Sequence, residues 1–157
     1  MRNRNALLLI ISYGLIVGAV NTYSGLVGLI TADYGYSDAA ASLMGAIFIG
    51  GSLIGSVLFG IWVEIKKNYK MALIILSVGT ACFPFGLAFA LPTGKLALPC
   101  IACFCIGFFG LTVLPIGIDF GVELTYPSPE AVSSGLLLTA ANFFGTIFSV
   151  AGAVMIG

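Results

Sequence analysis

Residues 6–32 carry no charged side chain, and residues 39–63 carry none either. A bilayer's hydrocarbon core is about 30 Å thick and takes roughly 20 apolar residues of helix to cross. By the same criterion three further segments qualify, so five spans are expected, over about residues 6–32, 39–63, 70–90, 95–124 and 130–156. Composition agrees: the chain is 60% hydrophobic and 8% charged, where a soluble domain carries about a quarter charged residues. Inside hydrocarbon every backbone N–H and C=O must be satisfied within the protein. The expected fold is therefore all-α, a polytopic transmembrane helical bundle. The opening Met1-Arg2-Asn3-Arg4-Asn5 has the positive flank of a secretory signal, but the apolar run after it is too long for one and reads as a first span.

The charges mark the breaks between spans. Residues 33–38 form a polar turn, residues 64–70 the most charged loop, and Pro92-Thr93-Gly94 a tight turn. Tyr126-Pro127-Ser128-Pro129 breaks the chain again, because closely spaced prolines do not sit in a continuing helix. Arg2, Arg4, Lys66, Lys67 and Lys70 fall on one side of the membrane and Lys95 on the other, which orients the N-terminus to the cytoplasm. Net charge is zero, so no basic field for nucleic acid exists. With no histidine and no nucleophile–base pair, an enzyme is not expected. Cys82, Cys100, Cys103 and Cys105 lie in apolar surroundings and read as packing residues, not as a metal site. No cofactor and no metal are expected.

Three groups of residues are costly in lipid and so point to function. Asp119 and Glu123, four apart, share a helix face near a helix C-terminus, where the macrodipole opposes negative charge. With Glu64, Lys66, Lys67 and Lys70 they form a candidate ion-pair network for a cytoplasmic gate; a proton- or cation-coupling role is the second reading and a solvated pair the third. Pro115 interrupts the fourth span, as a moving hinge or as a fixed kink. Asn21, Tyr23, Thr139 and Asn142 are polar at mid-membrane depth and are candidate substrate contacts, with interhelical hydrogen bonding as the alternative. Gly51 and Gly55 form a GxxxG pair, and Gly107, Gly110, Gly117 and Gly121 flank Pro115; small residues of this kind let helices approach closely.

Several stretches resemble a known family. Gly60-Ile-Trp-Val-Glu64-Ile-Lys-Lys resembles the degenerate second copy of the major facilitator loop signature. Leu114-Pro-Ile-Gly-Ile-Asp-Phe-Gly-Val-Glu-Leu-Thr-Tyr-Pro127, followed by Ser133-Ser-Gly-Leu-Leu137, resembles the feline leukaemia virus subgroup C receptor-related transporters, solute carrier family 49. Gly55-Ser-Val-Leu-Phe-Gly-Ile-Trp62 and Ile11-Ser-Tyr-Gly14 are similar to that family too.

The resemblance implies that the spans correspond to spans seven to eleven of a twelve-span transporter, a C-terminal half without its last helix. Members of the family are associated with choline and ethanolamine transport, and haem export has been attributed to them. It further implies that Asn21 occupies the position of a binding tyrosine in the seventh span and Asn142 that of a glutamine in the eleventh. The expected function is transport of a small organic solute; the competing expectation is a transport-inactive membrane subunit that serves as a packing surface. Expected partners are the lipid bilayer, a missing N-terminal half or another membrane subunit, and a small-molecule substrate.

Overall fold

A computed structural model describes residues 4–93, 96–127 and 129–156. The helices are α1 (Arg4–Asp33), α2 (Asp38–Lys66), α3 (Tyr69–Ala90), α4 (Ala97–Gly110), α5 (Val113–Thr125) and α6 (Glu130–Ile156), with a 3₁₀ turn over Leu91–Thr93. No strand occurs among the described residues. Five helical stretches are long and apolar enough to cross a membrane, the fourth being α4 and α5 taken together. Their outward faces are apolar; Leu53, Val57, Phe85 and Phe89 are all exposed. Only lipid satisfies such a surface, and the protein is an integral, multi-pass membrane protein.

The connections follow from local chemistry. Gly35 ends α1 with φ of 75°, while its N–H bonds Ala32 O at 3.0 Å and the Tyr36 N–H bonds Thr31 O at 3.2 Å. That pair of bonds satisfies the last carbonyls of the helix. Ser37 then caps α2 by accepting from the Ala40 N–H at 3.3 Å. A Cβ at Gly35 would meet nothing within 4 Å, so Gly35→Ala isolates the backbone cost. It should remove roughly 1–2 kcal/mol of stability, read as a lower unfolding midpoint in detergent; an unchanged midpoint would deny the turn this role.

Residues 64–70 were expected to be a loop, but helix occupies most of them. Glu64 and Lys66 continue α2, and Tyr69 and Lys70 already belong to α3. Only Lys67 and Asn68 turn the chain. Lys67 takes a left-handed φ of 48° and donates its N–H to Val63 O, and the Asn68 side chain accepts from the Met71 N–H. Glu and Lys are good helix formers, and a charged turn costs nothing outside the hydrocarbon. Arg2, Gly94, Lys95 and Ser128 lie outside the described residues.

Close approach of backbones at small residues builds the bundle. The most extensive pairings are α1 with α6 and α2 with α4. In the α2–α4 seam, a Cβ at Gly51 would stand 2.5 Å from the Phe104 carbonyl oxygen, and one at Gly107 would collide with Phe48 O. In the α1–α6 seam, a Cβ at Gly18 would come within 2.8 Å of the Gly145 nitrogen. Two buried clusters form between the seams. One gathers Tyr13, Val17, Val63, Leu76, Ile116 and Leu137, the other Val20, Met44, Phe48, Leu87, Cys103 and Ile106.

Candidate functional site

Pro115 shapes the middle of the bundle. Lacking an N–H, it cannot bond the Leu111 carbonyl four residues earlier. Helix α4 ends at Gly110 and α5 begins at Val113, and the Leu111 carbonyl takes the Leu114 N–H instead, at 3.1 Å. Thr112, fully buried, turns its hydroxyl back to Phe108 O at 2.6 Å. From α1 the Tyr13 hydroxyl donates to Leu114 O at 3.3 Å. The Tyr13 ring fills the notch that Gly117 leaves, where a Cβ would overlap its edge. Sequence reasoning named Pro115 but not Tyr13, and no local pattern marks a tyrosine that answers a break some hundred residues away.

The four polar residues expected at the substrate wall divide between two places. Asn21 is half-buried on α1 and lies beside the seam, its Cβ 3.8 Å from where a Cβ of Gly145 would be. Asn142 is one turn before Gly145 on α6 and is exposed, as is Thr139. Thr146, also exposed, extends the same stripe of α6, since residues three and four apart share a face. Spacing alone would have found it. Tyr23 belongs elsewhere. Its ring packs on Phe48 at 5.6 Å, its hydroxyl lies 2.9 Å from Cys103 Sγ, and it borders a cavity of about 270 Å³ with Ser24, Val27, Met44 and Leu111. Within the seam itself, Thr22 donates to Gly18 O at 2.9 Å or to Gly145 O at 3.1 Å, and Ser149 reaches Thr22 at 3.3 Å.

At the end of the bundle that holds the α2–α3 turn, Glu64, Lys67, Asp119 and Glu123 line one cleft of about 480 Å³ together with Tyr69 and Glu130. Four carboxylates thus face one ammonium. No ion pair closes among the described residues, and all five charged groups are exposed. Lys66 is exposed away from the cleft, and Lys70 lies along a separate apolar groove with Tyr13, Leu73 and Phe120. Glu130, at the start of α6, was missed because the sequence does not show that α6 begins beside α5.

A span broken near its middle and seams closed by glycines are features that transporters share with other helical membrane proteins. No family model matches the chain. Individual relatives do match. The chain is 35% identical to the choline/ethanolamine transporter FLVCR2 of Homo sapiens, over 95% of its own length and 28% of that protein's. It is 34% identical to the choline/ethanolamine transporter FLVCR1 of Mus musculus over 96% of itself and 27% of the relative, and 29% identical to solute carrier family 49 member A3 of Danio rerio over 94% and 31%. The chain is a homologue of the solute carrier family 49 transporters, and it spans about a third or less of the length of the curated relatives it matches.

Proposed function

We propose that this chain forms one wall of a membrane pathway for a small polar organic solute of the choline/ethanolamine kind, and that its spans correspond to spans seven to eleven of a major facilitator transporter. The observation that carries the reading is the pair Asn21 and Asn142. Two amides flank the α1–α6 seam near the middle of their helices, and Asn142 is exposed there. An amide turned to hydrocarbon loses its hydrogen bonds without compensation, so this face fits a polar pathway and not lipid. The names of the relatives supply the solute class.

In this reading the N-terminus is cytoplasmic, because Arg2, Arg4, Lys66, Lys67 and Lys70 share one side against Lys95. The cleft of Glu64, Lys67, Asp119, Glu123 and Glu130 then belongs to the cytoplasmic gate. Its excess of carboxylates suits cationic side chains supplied by the other half of the pathway or by another membrane subunit. Pro115 is the hinge: the interruption of the helical hydrogen-bond ladder between α4 and α5 lets the two segments change their angle as the gate works. The solute binds near the bilayer midplane and the halves rock about it.

The test uses the protein expressed from its native gene. Asn142→Ala should raise the KM for ethanolamine uptake by about tenfold, the worth of one hydrogen bond to a charged group, with surface expression unchanged. Unaltered uptake kinetics would remove Asn142 from the pathway.

A further inference from the structure

The hydroxyls on the proposed wall have both spent their protons. Thr139 donates to Gly135 O at 2.8 Å, and Thr146 to Asn142 O at 2.9 Å. A hydroxyl owns one proton and two lone pairs. Each of these two therefore turns only acceptor lone pairs away from its own helix, and both are exposed. The side-chain amides of Asn21 and Asn142 make no hydrogen bond among the described residues. They add two further acceptor oxygens and the wall's only free N–H donors. Neither residues 6–32 nor residues 131–156 include a charged side chain to offset this balance.

We infer that this wall selects its solute by hydrogen-bond donation, favouring a primary ammonium carrying a hydroxyl over a quaternary ammonium of the same skeleton and over any anion. The inference rests on the reading of this face as a transport pathway and adds to it a rule for choosing among solutes. Oxygen lone pairs present the negative ends of their dipoles, which suits a cation. An N–H-bearing cation also replaces the water hydrogen bonds that these oxygens give up when the pathway closes. A quaternary ammonium has no N–H. It strips the same water from the oxygens and returns nothing, and a polar site left unpaired discriminates strongly against such an analogue. Tyr23 does not restore the balance from this chain, because its ring is packed on Phe48 and its hydroxyl is engaged with Cys103.

Methylation of one amine tests the rule without changing charge. Uptake of labelled ethanolamine by the protein expressed from its native gene is measured against unlabelled ethanolamine, N-methylethanolamine, N,N-dimethylethanolamine and choline, all cationic at the assay pH. The half-inhibiting concentration should climb at each step, with choline at least about tenfold weaker than ethanolamine. Thr139→Val and Thr146→Val together remove two acceptors at nearly constant volume, and should shrink that ratio at least about threefold. Choline competing as well as ethanolamine in the unaltered protein overturns the inference and leaves transport standing. An unchanged ratio in the valine variant, at normal surface expression, overturns it too. Absence of uptake for every amine overturns the transport reading and this rule with it. Should the valine variant fail to reach the surface, the methylation series decides alone.

Discussion

Gly107→Ala is expected to cost about 2–3 kcal/mol of stability, as overpacking of a tight contact does, although it adds a single methyl group. The new Cβ would collide with the carbonyl oxygen of Phe48 and press on the carbon behind it. That neighbour is helix backbone, so no side-chain rotamer can relieve the clash; α2 and α4 must move apart along the seam that Gly51 and Gly55 also form. In hydrocarbon this matters more than in water, because close packing is most of what holds helices together there. Gly60→Ala is the control. Nothing lies within 4 Å of a Cβ at that position, and alanine is the better helix former. Unfolding midpoints in detergent should fall for Gly107→Ala and stay level or rise for Gly60→Ala. Equal midpoints would mean that the α2–α4 seam is looser than described.

Tyr13→Ala should cost more, about 3–4 kcal/mol, in the range for emptying an aromatic site. The ring is 2% exposed and sits among Val17, Val113, Ile116 and Leu137 of the first cluster. Removing it opens a cavity beside Gly117, where no Cβ is present to fill it. Tyr13→Phe keeps the ring and deletes only the bond to Leu114 O, a loss of ~1 kcal/mol. The pair separates packing from hydrogen bonding at a point where α1 touches the break in the fourth span. Similar losses for both variants would shift the weight to the hydroxyl; no loss for Tyr13→Ala would show that α5 is held in place by other contacts.

Parts of the site were legible before any tertiary structure. Asn21, Asn142, Asp119 and Glu123 announce themselves by their cost in lipid. Pro115 announces the break, since the chemistry of the missing N–H is local. Tyr23 shows where legibility ends. It follows Asn21 by two residues, which is roughly 200° of helix turn, so the two side chains leave α1 in nearly opposite directions. One meets the α6 seam and the other meets Cys103 and Phe48. The small-residue faces were half legible as well. Gly51 and Gly55 were singled out, whereas Gly14 and Gly18, at the same spacing, were passed over and carry the most extensive helix pairing in the bundle.

From the amino acids alone came the solvent, the five spans, and the gathering of charge at their ends. These follow from transfer free energies, which each residue carries with it wherever the chain goes. Only the tertiary structure decided which helices pair and which polar groups share a face. Pattern could not decide it, because a lipid-facing side and a core-facing side are equally apolar, so a spanning helix shows little amphipathic signal to say which way it turns. What turns it is shape: where two glycines let backbones meet, where a ring fills the notch beside a third, and where a proline divides one span into two helices.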